Sequence, residues 1–214
     1  MPKFFSIEEF IEDISDLKVI DNISLQFHLY QSYLVSSIKK HDSFNDFLNW
    51  SSMLLHDFND IDTNIVDAKS LYGNLKNVKE LENWNIDNWS FSEKPLTNVQ
   101  ENYIDFFESL FSVYQIFKKE LLDKKMGYQG LANRVAAEKI NTIELPWKKV
   151  WFVGLNALTS SQHVIIDNLK KRDIARVFWD ADEYYFKNND HEAGIFLKQQ
   201  QTKWSEIDVE GVGD

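Results

Sequence analysis

The sequence of 214 residues contains no cysteine, and this absence excludes several kinds of chemistry at once. Without thiols the chain has no disulfide, no thiolate zinc site, no iron–sulfur cluster and no cysteine nucleophile. Freedom from disulfides fits a reducing compartment, so we expect a cytoplasmic protein.

Long apolar runs are also missing. No run approaches the roughly 20 residues that cross a bilayer. Residues 1–5 lead straight into an acidic stretch, without the apolar core of a signal peptide. With three prolines and 43% apolar residues, the chain is expected to form a packed, soluble core with no membrane role.

Basic residues are scarce, with 23 Lys and Arg against 34 Asp and Glu and a formal net charge of −11. Such a chain repels phosphate, so we expect contact with DNA only indirectly or through a local patch. Two basic clusters are candidates: Lys118, Lys119, Lys124 and Lys125, and Lys170, Lys171 and Arg172. Aromatic residues reach 14%, which favours docking to a protein partner.

Capping signals and apolar spacing predict a helical first part. The box Ser6–Glu9 predicts a helix that ends near Asp16, and Ser43 opens another. Between them, a stripe at helical spacing predicts a second helix with this apolar face: Ile23, Phe27, Tyr30, Leu34 and Ile38. The helix after Ser43 is expected to turn these side chains toward the core: Phe44, Phe47, Leu48, Trp50 and Leu54.

A loop is predicted from about Leu71 to Pro95, anchored by Trp84 and Trp89. The capping box Thr97–Gln100 then predicts a long helix to about Lys124. Its main apolar stripe consists of Tyr103, Phe107, Leu110, Tyr114, Phe117 and Leu121. Three more apolar residues fall outside that stripe, Phe106, Phe111 and Val113, so the helix is expected to be buried on more than one face.

The last part of the chain has the pattern of a small parallel sheet. Val150–Val153 is a short apolar run that predicts a buried strand, and Ile174–Trp179 predicts a second one. Between them, the capping box Thr159–Gln162 predicts a helix. Strand, helix and strand in this order form a parallel unit with a right-handed crossover. The predicted fold class is therefore α/β, with a mostly helical part and a small parallel β–α–β unit.

Asp180 and Asp182 are the best metal candidates because they directly follow the second predicted strand. Carboxylates at this edge of a parallel sheet often bind Mg²⁺ together with a phosphate. The same residues also suit the start of a helix, where acidic side chains are favoured. We therefore assign no metal site, and Asp180 and Asp182 remain the candidates for one.

A second acidic segment, His56–Asp62, fails as a calcium loop. A loop starting at Asp57 needs an oxygen ligand at Ile61. A loop starting at Asp60 needs glycine at Ile65 and glutamate at Leu71. The segment is therefore expected to be a solvated helix end and turn.

Common catalytic and cofactor motifs are absent. None of the seven glycines is followed by lysine, which excludes a phosphate-binding P-loop in this sequence. The sequence has no HExxH metal motif and no GxSxG nucleophile motif, and its histidines have no ligand spacing. We therefore predict no catalytic residue, no cofactor and no enzymatic activity for this chain.

Four ordered blocks resemble the AddB-like proteins of Bacteroidetes: Pro2–Ile11, Met53–Asp62, Trp151–Leu158 and Trp179–Tyr185. In these proteins a degenerate superfamily I helicase precedes a PD-(D/E)XK nuclease domain. The resemblance implies a helical part of the helicase-like core at 1–42, an inserted helical subdomain at 43–145, and the β–α–β part of that core at 146–214. The P-loop strand would precede Pro2, and no nuclease signature occurs in the chain.

The resemblance further makes the strand at Val150 the counterpart of the Walker B strand. An active helicase has an Asp–Glu pair after that strand, whereas this sequence has Gly154–Leu155 or Asn156–Ala157. The resemblance therefore implies a non-catalytic scaffold that guides DNA during double-strand break repair. Its partners would be an AddA-like helicase subunit and the rest of the parent chain.

Two alternatives remain open. The first is a Mg²⁺-dependent enzyme that uses Asp180 and Asp182 on a nucleotide-linked substrate, as a glycosyltransferase-like site would. The second is a protein-binding α/β module unrelated to DNA.

Overall fold

A computed structural model describes residues 2–38, 41–74, 98–155, 157–179, 184 and 192–204. For residues 98–108, 193, 201 and 203 it describes the backbone alone. The chain divides into two compact units, Met1–Glu138 and Lys139–Asp214. Its class is α/β and mostly helical, and the described residues form two parallel two-stranded sheets. This coarse fold class is confirmed, whereas the predicted limits at 42/43 and 145/146 stay predictions.

The first unit is built from helices and one very short sheet. In chain order its labelled elements are α1 (Ile7–Ser15), β1 (Lys18–Val19), α2 (Asn22–Leu34), α3 (Phe44–Thr63), α4 (Asn98–Asp123), β2 (Met126–Gly127) and α5 (Gln129–Lys139). Strands β1 and β2 pair in parallel. The sequence does not predict them, because a strand of two residues is too short to show an alternation of apolar and polar side chains. Residues 68–74 are helical, so the predicted loop is wrong for 71–74, and its remainder lies outside the described residues.

Predicted helix starts are confirmed where the structure describes them. The Ser6 hydroxyl accepts a hydrogen bond from the Glu9 N–H at 3.1 Å, and the Glu9 carboxylate accepts one from the Ser6 N–H at 2.9 Å. Helix α1 ends at Asp16, which adopts a left-handed conformation with φ of 58°. Ser43 likewise caps α3. The predicted cap at Thr97 lies outside the described residues, although α4 begins at the next residue.

The predicted apolar face of α2 is wrong for three of its five residues. Its buried apolar residues are Leu25, Leu29 and Tyr33. Three residues of the predicted stripe face outward instead, with exposed fractions of 68% for Ile23, 53% for Phe27 and 43% for Leu34. Tyr30 and Ile38 are half-buried and pack against the core as predicted, although Ile38 lies beyond the end of the helix. Because α2 is apolar on two sides, helical spacing alone did not determine which side meets the core.

Helices α3 and α4 supply most of the core that α2 packs against. In α3, Phe47 and Leu54 are buried as predicted, while the other three predicted core residues are half-buried: Phe44, Leu48 and Trp50. The described part of the α4 stripe is buried as predicted: Leu110, Tyr114, Phe117 and Leu121. Val113 is also fully buried, but it lies beside the stripe on the same side of α4, so burial on more than one face stays a prediction. Tyr103, Phe106 and Phe107 lie among the residues described by backbone only.

Glu120 of α4 links this helix to α2. Its carboxylate accepts hydrogen bonds from the Ser32 hydroxyl at 3.1 Å and from the Lys124 ammonium at 2.7 Å, and it contacts His28 Nδ1 at 2.8 Å. Partial burial opposes ionisation, but these hydrogen bonds from Lys124, His28 and Ser32 lower the pKa of Glu120 overall. The ionised carboxylate therefore stabilises the contact between α2 and α4.

We expect Glu120→Gln to cost about 1–2 kcal/mol of unfolding free energy at neutral pH, because the mutant loses hydrogen bonds to a charged acceptor. A pKa lowered by folding adds stability above the carboxyl pKa of the unfolded chain, and that stability is lost as the pH falls through the folded pKa. The difference between the two proteins should therefore shrink in acid, which urea titrations at several pH values would measure. Asp123→Asn is the control, since Asp123 is exposed and lies 3.8 Å from Lys119. An equal effect of both variants would contradict the prediction.

The second unit contains the predicted β–α–β arrangement. Its labelled elements are β3 (Val150–Val153), α6 (Ser160–Lys171), β4 (Ala175–Phe178) and α7 (Ile195–Lys203). Strands β3 and β4 are parallel, with Val150 opposite Ala175 and Val153 opposite Phe178. The capping box of Thr159 and Gln162 at the start of α6 is confirmed. The β–α–β arrangement contributes these buried residues to the core of the unit: Phe152, Ile165, Ile166, Leu169 and Ala175.

Candidate functional site

The predicted Asp180 and Asp182 site lies just beyond the described end of the sheet. Strand β4 ends at Phe178, so both aspartates follow the strand in the chain. Their side chains lie outside the described residues, and their metal role stays a prediction. Among the residues that the structure does describe, no group of three or more His, Asp or Glu could hold a metal ion.

The chain after β3 turns sharply at Gly154. Its N–H donates a hydrogen bond to the Phe178 carbonyl at 3.1 Å, which ties it to the end of β4. Gly154 has a φ of 71°, a left-handed conformation that glycine adopts without steric cost. The next residue, Leu155, is apolar. Positions 154 and 155 therefore place a backbone turn and an apolar side chain at the end of this strand.

Asp62 overturns the prediction of a solvated segment at 56–62. Its side chain is 0% exposed, whereas His56 and Asp60 are 73% and 57% exposed and fit the prediction. Asp62 follows the buried Phe58 by four residues, so both lie on the same side of α3. The last turn of α3 thus carries a carboxylate into the interior of the first unit.

Several donors surround the Asp62 carboxylate. Tyr114 donates a hydrogen bond to Oδ1 at 2.5 Å, and Tyr128 donates a short one to Oδ2. Arg134 Nε forms an ion pair with Oδ1 at 2.5 Å, and Lys118 Nζ lies 3.6 Å from the same oxygen. We call these residues, Asp62, Tyr114, Lys118, Tyr128 and Arg134, the Asp62 cluster. It joins α3, α4 and α5.

Arg134 also completes the end of α3. Its Nη2 atom donates to the carbonyl oxygens of Ile61 at 2.9 Å and Val66 at 2.6 Å. The last carbonyls of a helix have no partner within the helix, and a cation there is favoured by the helix dipole. One buried guanidinium therefore pairs with the Asp62 carboxylate and also donates hydrogen bonds to carbonyl oxygens at the C-terminal end of α3.

The two tyrosines act as fixed hydrogen-bond donors. Burial and the nearby Asp62 charge raise the pKa of Tyr114 and of Tyr128, so both hydroxyls keep their protons. Both Asp62 oxygens are engaged by these donors and by Arg134. Such a carboxylate is poorly placed to accept a proton from a substrate. The Asp62 cluster is therefore a structural centre that holds three helices together.

Sequence reasoning missed the Asp62 cluster because its members are far apart in the chain. Tyr114 and Tyr128 follow Asp62 by 52 and 66 residues. The one local signal was the four-residue spacing from the apolar Phe58, which places Asp62 on the inner side of a helix.

The predicted basic patch at the C-terminal end of α4 and just beyond it is neutralised by acidic neighbours. Each of its four lysines lies within 4 Å of a carboxylate: Lys118 near Asp62 (3.6 Å), Lys119 near Asp123 (3.8 Å), Lys124 near Glu120 (2.7 Å) and Lys125 near Asp16 (2.6 Å). Lys118 and Lys119 also line an open groove of about 470 Å³, whose other charged residues are Lys69, Arg134, Asp67 and Asp123. Of these cations, Arg134 is already paired with Asp62. Mixed charge of this kind gives no strong attraction for a phosphate backbone.

The sheet of the second unit has one buried and one exposed face. Phe152 and Ala175 are buried, whereas the opposite face consists of Trp151, Val153, Arg176 and Phe178. We call these four residues the open sheet face. Trp151 and Val153 are 67% and 68% exposed, and Trp151 contacts Phe178 edge-on at 5.7 Å. The prediction of a buried strand at Val150–Val153 is therefore wrong for this face.

Comparisons with protein-family models, with curated proteins and with solved structures found no match. The resemblance to AddB-like proteins therefore stays a prediction. Over the stretches of chain that the structure describes, no helix combines the length and apolar character needed to cross a membrane.

Proposed function

We propose that this chain is a non-catalytic scaffold region of an AddB-like helicase–nuclease subunit that takes part in the repair of DNA double-strand breaks. The observation that carries the proposal is the open sheet face on a parallel β–α–β unit. The chain contributes by packing against other protein parts, and DNA is guided mainly by those parts.

The open sheet face suits protein docking because parallel sheets occur almost only with both faces covered. Here one face carries exposed tryptophan, valine and phenylalanine side chains, and aromatic residues are enriched at interface centres. A sheet of two parallel strands is also smaller than the sheets of doubly wound α/β folds. Both features favour a unit whose open sheet face is buried by an AddA-like helicase subunit or by the rest of its parent chain.

The residues after β3 support a scaffold without ATPase activity. An Asp–Glu pair at this place would hold Mg²⁺ and activate water in a working helicase. The sequence from Gly154 to Ala157 contains no carboxylate, and Gly154 instead forms a tight turn bonded to Phe178. The region resembles a helicase core from which this part of the ATPase chemistry has been lost.

The charge distribution supports an indirect relation to DNA. The chain has a formal net charge of −11, and the lysines on α4 lie beside carboxylates. Affinity for DNA comes mainly from cations that neutralise phosphates. Phosphate contacts are therefore assigned to the partner subunit and to the rest of the parent chain.

We expect the purified chain to bind an AddA-like helicase subunit, and Trp151→Asp to weaken that binding at least tenfold. The substitution places a charge in the centre of an apolar contact. Biolayer interferometry would measure the dissociation constants, with circular dichroism to verify folding. Phe4→Asp is the control, because Phe4 is 90% exposed and lies in the other unit. Failure to bind the helicase subunit, or ATP hydrolysis by the purified chain, would refute the proposed function.

A further inference from the structure

The outward side of α2 carries an apolar seam. Its members are Ile23, Phe27, Tyr30 and Leu34, spaced by four, three and four residues, which is the spacing of the a and d positions in coiled coils. Three of them are 43–68% exposed, while the opposite side of α2 is buried in the core of the first unit. Isolated exposed apolar residues are ordinary, but a continuous helical stripe marks an interaction surface.

The seam is held in place by aromatic packing. The Phe27 ring stacks on Phe44 with centroids 5.1 Å apart, and Tyr30 meets the same ring edge-on at 5.0 Å. Gln26 also donates a hydrogen bond from its side-chain amide to the Ser52 hydroxyl of α3 at 2.8 Å. A surface fixed in this way loses little conformational entropy when a partner binds.

Helix α2 itself carries no formal charge, although Asp21 caps its start and Asp42 lies beside Tyr30. From Asn22 to Ile38 the sequence has no Asp, Glu, Lys or Arg, although 27% of the chain is charged. Among the helices in the described parts of the chain, α2 alone lacks these residues. In paired helices, charged residues beside the apolar seam select a partner helix of complementary charge. An anionic membrane surface would require basic residues beside the seam.

We propose that this seam binds a second copy of the same chain, with the two α2 helices antiparallel across a two-fold axis. The spacing of four, three and four is symmetric about its midpoint, so Ile23 faces Leu34 of the second copy and Phe27 faces its Tyr30. A two-fold interface requires this kind of self-complementary surface. Two chains of net charge −11 repel each other, and α2, which has no Asp, Glu, Lys or Arg, adds no charge of its own to the contact.

The dimer is expected to be weak because one short helix per chain buries less than a standard interface. Sedimentation velocity between about 1 and 300 µM should show the mass rising from 25.3 kDa toward twice that value, with a dissociation constant of about 10 µM. Added salt should strengthen the dimer, since it screens the repulsion between two acidic chains.

Two sets of variants test the seam. Phe27→Glu should weaken the dimer at least tenfold, whereas Phe196→Glu, at a residue of similar exposure on α7, should leave it unchanged. Because the chain has no cysteine, a variant carrying both Ile23→Cys and Leu34→Cys should form a disulfide-linked dimer on oxidation, and each single variant should not. The crosslink does not depend on the stability of the Phe27 variant. A monomer at every concentration, or a dimer that Phe27→Glu leaves intact, would overturn the proposal.

Discussion

Replacing Asp62 by alanine is expected to lower the unfolding free energy of the first unit by about 3–5 kcal/mol, the usual cost of removing one partner of a buried ion pair. The Arg134 side chain is only 11% exposed and would remain charged without its carboxylate. Tyr114 and Tyr128 would each lose the acceptor of a buried hydroxyl, which adds to the cost. Urea unfolding followed by circular dichroism would measure the change.

Asp60→Ala is the matched control for this prediction. Asp60 belongs to the same helix, but its side chain is 57% exposed and lies 3.4 Å from His56, whose side chain is 73% exposed. Exposed pairs of this kind contribute little, so a loss below about 0.5 kcal/mol is expected. Combining Asp62→Ala with Arg134→Met should cost less than the sum of the two single losses, because the double variant leaves neither partner of the ion pair buried alone. Equal losses for Asp62→Ala and Asp60→Ala would show that the cluster does not stabilise the unit.

Local features of this fold could be predicted because their physical causes lie within a few residues. The capping boxes at Ser6 and Thr159 satisfy helix N–H groups three residues away, so the sequence alone locates these helix starts. The apolar run Val150–Val153 between Pro146 and Gly154 likewise predicted β3. The order of strand, helix and strand then gave the parallel pairing.

Features set by distant residues could not be predicted in the same way. Helix α2 is apolar on two sides, and the contacts that choose Leu29 over Phe27 for the core come from other helices. Asp62 meets its hydrogen-bond partners only after more than fifty intervening residues fold around it. For β3, a continuous apolar run suggested burial of both faces, yet Trp151 is exposed. An apolar side chain in the sequence indicates a surface that is favourably buried. It does not indicate whether the residues that bury it belong to the same unit or to another protein.

Gly130→Ala is expected to destabilise the first unit by about 3 kcal/mol, near the upper end of the usual cost of overpacking. A Cβ atom at this position would lie 2.2 Å from the Asn59 carbonyl oxygen and 2.8 Å from the Thr63 hydroxyl oxygen. The Asn59 carbonyl is part of the backbone of α3, so α3 and α5 would have to move apart. That shift would also lengthen the 2.8 Å hydrogen bond from the Gly130 N–H to the Asn59 side chain. Thermal and urea unfolding would both record the loss.

Gly73→Ala is the same chemical change, but we expect it to raise the free energy of unfolding. Gly73 lies in the helical segment 68–74, and among the described residues no neighbouring atom lies within 4 Å of the position that a Cβ would take. Alanine costs less backbone entropy than glycine in a helix, so a gain of about 0.5–1 kcal/mol is expected. The two variants separate close packing from helix propensity, since both replace a glycine within a helix. If Gly130→Ala were as stable as the parent protein, the close approach of Gly130 in α5 to the Asn59 backbone in α3 would be contradicted.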